Sequence, residues 1–244
     1  MLALITNMLV FVSCSQEEAF EADEKNSEYK SIYETLKEEP TVSILSLLNN
    51  SRASGVEDGY PVFSSEDLNY LSSLSQEDFE KVRDAFIKRL KSAGIEDVES
   101  IQDSNYIKIF DLMDGHQGMD QLIAFAQEYI TSPQGWNQIE LLMPQNISLE
   151  QGEVYIYMAT YIDKIGRPIY DVLTSKDMPV SRADSQICIR YLQQRLAIAG
   201  AAISTEEFID VMTGGAATPL ELIATGADLV SIWLDYEVCN HRWH

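Results

Sequence analysis

The sequence predicts an all-α protein, an irregular multi-helix bundle. Three observations carry this reading: helix-start signals of one form recur along the chain, apolar residues follow them at helical spacing, and the stretches rich in strand-favouring residues are short. In Phe63-Ser64-Ser65-Glu66-Asp67-Leu68, Ser64 is placed to cap a helix while Phe63 and Leu68 form a hydrophobic staple. The same arrangement recurs at Leu74-Ser75-Gln76-Glu77-Asp78-Phe79. Phe79, Val82, Phe86 and Leu90 follow on one face, and Gly94 is a stop. It recurs again at Ile203-Ser204-Thr205-Glu206-Glu207-Phe208, with Glu207 completing a capping box. Thr218-Pro219-Leu220-Glu221 joins a capping threonine to a proline at the first helical position.

Between these signals, Met119, Leu122, Ile123, Ala126 and Ile130 share one helical face, ended by Pro133 and Gly135. Trp136 to Pro144 reads as a loop or short turn. Val154-Tyr155-Ile156-Tyr157 and Tyr106-Ile107-Lys108-Ile109-Phe110 favour strands by composition but lie in helical surroundings. Both are assigned to helices, the alternative being a small two-stranded element. The folded domain is expected over residues 41–244, with a subdomain boundary near 175–183. A three-helix C-terminal half, 185–244, follows: Gln186 to Ala199, Thr205 to Met212 and Pro219 to about Val238. Polar residues form only a narrow stripe on the last of these, so it must be buried on several sides or docked on a partner. Alanines and glycines such as Ala197, Gly200, Gly226 and Ala227 would let the first and third helices approach closely. Gly226 costs ~1 kcal/mol against alanine inside a helix, which implies a packing reason.

Charge narrows the partners. Against 17 basic residues stand 39 acidic ones, a formal net charge of −22. Nucleic acid is excluded as a partner, because binding it requires a basic stripe that releases counterions. Residues 15–40, with nine acidic residues and three lysines, carry little bulky apolar surface and read as a tether ending in a short helix around Tyr29 to Lys37.

The N-terminal segment gives the chain an address. Met1 to Ser13 is uncharged and mostly apolar, and as a helix it would span only ~20 Å, short of a bilayer's ~30 Å hydrocarbon core. It reads as the apolar core of an export signal, and Ser13-Cys14-Ser15-Gln16-Glu17-Glu18 follows directly. This junction resembles the cleavage site of bacterial lipoproteins. The resemblance implies that residues 1–13 are removed and that Cys14 becomes residue one of a lipidated acidic tether, 14–40. It also implies that Glu17-Glu18 acts as an acidic tag for transfer to the outer membrane or cell surface. Such signals open with Lys or Arg, and no basic residue precedes Lys25, so Met1 is taken as internal to a slightly longer signal. Acyl chains, at roughly 0.8 kcal/mol per buried methylene, would hold the chain on a membrane through Cys14. With Cys14 assigned to lipid, Cys188 and Cys239 remain as a pair, expected to bridge in an oxidising compartment. Antiparallel packing of the first and third C-terminal helices would bring them together.

No cofactor, metal or catalytic residue is assigned. Cys239, His241 and His244 offer at most three metal ligands, one already committed to the bridge, where a closed zinc site needs four. Asp111, Asp114, His116 and Asp120 surround a glycine turn without EF-hand spacing. Tyr155, Tyr157, Tyr161 and Tyr170 suit helix packing better than a stacking groove. The chain has no nucleophile in a glycine elbow, no phosphate loop and no dinucleotide fingerprint. The reading is a membrane-anchored exported lipoprotein serving as a non-enzymatic binding module for an unknown protein or small ligand. The alternatives are a toxin-like, membrane-active helical module in 185–244 and a carboxylate-based hydrolase.

Overall fold

The computed structural model describes residues 24–49, 59–94, 110–175, 182–213, 219–240 and 242–243. The signal segment, Cys14 and Tyr106 to Ile109 lie outside the described residues. Helix α1 (24–38) leads into strand β1 (Thr41–Ser43), the short helix α2 (Ile44–Asn49) and strand β2 (Tyr60–Val62). Then come α3 (Ser65–Ser73), α4 (Gln76–Ser92), α5 (His116–Tyr129), α6 (Trp136–Leu142) and α7 (Leu149–Tyr161). A π-helical turn (Ile162–Gly166) runs on into α8 (Arg167–Thr174), and the long helices α9 (Arg182–Thr213) and α10 (Pro219–Cys239) complete the order. Among the described residues the fold is all-α with one small two-stranded element, and that element is not at Val154 to Tyr157. Val154 to Tyr157 is helical, while β1 and β2 pair in parallel, Thr41 opposite Tyr60 and Ser43 opposite Val62.

Local signals account for the starts of α3, α4 and α7. Ser64 Oγ accepts from Asp67 N at 3.1 Å while Asp67 accepts from Ser64 N at 2.8 Å, and the staple residues Phe63 and Leu68 are both buried. Ser75 caps α4, and Ser148 with Gln151 forms a reciprocal capping box on α7. Along α4, Phe79, Phe86 and Leu90 turn inward, with Arg89 and Lys91 in the last turn, where cations favour the helix dipole. Helix α7 is buried nearly all round, which explains its composition: a central helix needs apolar residues on every face, whatever their strand preference.

Four expectations are corrected. Trp136 to Leu142, expected as loop, is a helix that buries Trp136 and Ile139. The predicted break between Ala199 and Thr205 does not occur: α9 runs through it, and Ser204 Oγ donates to the Gly200 carbonyl one turn back instead of capping a new helix. Residues 24–38, expected as the far end of a tether, form a longer helix whose Tyr29 and Tyr33 are only 1% exposed. Finally, 185–244 is not a separate half. Helix α9 packs on α5 and α7, α10 packs on α2 and α4, and one hydrophobic core takes residues from Tyr29 to Tyr236.

The small residues act as expected in kind but on other neighbours. A Cβ on Gly226 would lie 2.5 Å from Ile44 Cγ2 and 2.6 Å from Phe86 Cε1, so this glycine seats α10 on α2 and α4. A Cβ on Gly200 would lie 2.5 Å from Tyr161 Cδ1, which seats α9 on α7.

Candidate functional site

Cys188, near the start of α9, is bonded to Cys239, the last residue of α10, with Cα atoms 5.8 Å apart. The two helices therefore run antiparallel. The same alignment brings Tyr191 Oη to 3.5 Å and Arg195 Nη2 to 3.5 Å from Asp235 Oδ2. Beside the bridge lies an open trough of about 470 Å³. Ile187 and Tyr191 of α9 form one wall, and Gln76 and Glu80 of α4 form the other. Leu234, Asp235, Val238 and Cys239 of α10 make the floor. Gln76 Nε2 donates to Glu80 Oε1 at 3.0 Å across one turn of α4. Three helices thus each contribute side chains one turn apart to a single concavity.

A second polar constellation is internal. Asp163, on the π-helical turn, accepts from Tyr33 Oη at 2.7 Å and from Tyr129 Oη at 3.0 Å through the same oxygen. Its other oxygen lies 3.5 Å from Arg167 Nη2. Burial pushes the Asp163 carboxyl above its usual range, against the hydrogen bonds and Arg167, which favour the charged form. Burial also raises Tyr129 to about 12 and drives Tyr33 well above its ordinary value. Arg167 in turn donates to the Ile130 and Ser132 carbonyls at 2.8 Å and the Tyr129 carbonyl at 2.9 Å, satisfying the end of α5. The cluster ties α1, α5 and α8 together through a side-chain bond 130 residues apart in sequence. Its geometry is that of a tertiary clamp.

The C-terminal residues form another tie. Glu237, fully buried, receives Arg242 Nη1 at 2.5 Å, and Arg242 Nη2 donates to the Ser72 carbonyl at 2.7 Å. Trp243 packs on Phe79 at 5.4 Å between ring centroids.

The other sequence candidates fall out as follows. Asp111, Asp114, His116 and Asp120 are all exposed around the Asp114-Gly115 turn, where both residues have positive φ. Gln151 Nε2 reaches Asp114 Oδ2 at 3.3 Å and the Leu112 carbonyl at 3.2 Å. His241 and His244 lie outside the described residues, and Cys239 is in the bridge. Among the described residues, no three His, Cys, Asp or Glu side chains converge in a metal-binding arrangement. Tyr155, Tyr157 and Tyr161 are core residues, so they do not line a groove. Neither the trough nor the Asp163 clamp is apparent from sequence, although Ile187 and Tyr191, apolar and off the buried face that carries Cys188, Leu192 and Leu196, hinted at the first.

No family model matches the chain, and comparison with curated proteins and with solved structures finds no match either.

Proposed function

We propose that the chain is an exported lipoprotein, anchored to a membrane through Cys14, whose helical body is a non-enzymatic binding module. The Cys188–Cys239 bond is the observation that carries this reading. Structural disulfides belong to oxidising, extracytoplasmic compartments. Of the three cysteines, the bond leaves Cys14 as the third, directly behind an uncharged apolar segment and in the position of a lipid-bearing residue. The body supports a binding role over a catalytic one because its buried acids, Asp163 and Glu237, are engaged in ties between elements. Packing of α10 against α2, α4 and α9 favours the binding module over the toxin-like alternative.

Mass spectrometry of the native protein tests the anchor. The expected result is loss of residues 1–13 and an acyl-bearing Cys14; an intact Met1 or a free thiol at position 14 would sink it. Protease shaving of intact cells tests surface exposure through release of peptides from the body. Turnover by the purified chain in a broad panel of hydrolase substrates would overturn the non-enzymatic part.

A further inference from the structure

The trough beside the disulfide is a concavity in which the core leaves large apolar side chains uncovered. Among the described residues four such side chains stand exposed, and two of them, Ile187 at 64% and Tyr191 at 39%, share this wall. Scattered apolar residues on a surface need no explanation, but a pair at the mouth of an apolar concavity marks a contact site. We propose that this trough docks an amphipathic helix of a protein partner, which inserts two apolar side chains one turn apart and flanks them with lysine or arginine.

Size and charge select that occupant. The paired wall and floor residues, one turn apart on each helix, extend over about 6–8 Å, which suits an i, i+4 pair of a crossing helix. Leu234 and Val238 supply the apolar part of the floor, and the Glu80 carboxylate stands on the α4 wall. Arg195 is paired with Asp235 and Lys81 with Glu77 and Asp78, whereas Glu80, among the described residues, accepts only from Gln76 and keeps its charge. The chain as a whole carries a formal net charge of −22, a field that draws cationic segments in and turns acidic ones away. The disulfide holds the start of α9 against the end of α10, so the trough is formed before a partner arrives and binding costs little ordering. The inference does not depend on Cys14, since an unanchored body would dock the same helix.

Calorimetric titration of the full chain tests it, using an amphipathic Leu/Lys peptide of about 14 residues and its Leu/Glu counterpart. Salt of about 0.15 M screens diffuse attraction beyond ~8 Å. The expected result is saturable one-to-one binding of the Leu/Lys peptide and none of the Leu/Glu peptide. Ile187→Asp should weaken binding about tenfold or more. Leu141→Asp, at a leucine 73% exposed but outside the trough, should change it less than about twofold. Tyr191→Ser repeats the reading should Ile187→Asp perturb the fold by circular dichroism. Equal affinity of the trough and control variants, or no saturable binding, overturns the proposal.

Discussion

Asp163 holds two tyrosines from distant helices on one buried oxygen, an arrangement in which opposing effects can be separated by experiment. Deleting one donor leaves the carboxylate short of a partner, so Tyr33→Phe is expected to lower stability by ~1–3 kcal/mol in urea denaturation. The pH dependence has a definite sign. Burial raises the Asp163 pKa in the folded state, so its contribution is fully present below the unfolded value of ~3.9 and is lost as pH rises through the folded one. The stability difference between wild type and Asp163→Asn should therefore move against the wild type as pH climbs out of the acid range, then level off. Urea titrations of both chains at several pH values check this. Movement in the opposite direction would mean that Tyr33, Tyr129 and Arg167 together outweigh the cost of burial.

Between helices, glycines set the spacing. Gly226→Ala would gain ~1 kcal/mol of helix propensity but force a methyl group against Ile44 and Phe86, and overpacking of this kind costs ~1–3 kcal/mol. A lower melting temperature is expected; an unchanged or higher one would show that α2 gives way. Gly152 faces the Tyr29 hydroxyl at 2.0 Å from a notional Cβ, so Gly152→Ala should lift α1 from α7, and faster proteolysis within 24–38 would report it. Much at this scale was legible in advance, because a cap such as Ser64 with Asp67 or Ser148 with Gln151 is local chemistry within four residues. The continuity of α9 was not. Ser204 looks like a cap, yet packing of Gly200 against Tyr161 and Met158 accompanies a backbone that stays helical through both. Short α6 was missed because its first turn has no side-chain cap. The trough escaped for a different reason: its walls come from residues 76–80, 187–191 and 234–239, and only tertiary packing brings them together.

The molecule behaves as one core pinned at one end. Reducing the Cys188–Cys239 bond frees a loop of 51 residues in the unfolded chain, worth roughly 4 kcal/mol on the loop-entropy model. Urea midpoints with and without reductant measure that loss. Because α9 and α10 bury their faces on α2, α4, α5 and α7, a peptide of residues 185–244 should not fold alone even with its bridge, and circular dichroism of that peptide would show it. The excess of 39 acidic over 17 basic residues implies self-repulsion, so added salt should raise the melting temperature. The bridge has one more result, which is topological. It ties residue 188 to residue 239, so a single proteolytic cut anywhere between them leaves both pieces covalently joined. A nicked molecule would still run as one band on a non-reducing gel and part into two only when a thiol is added.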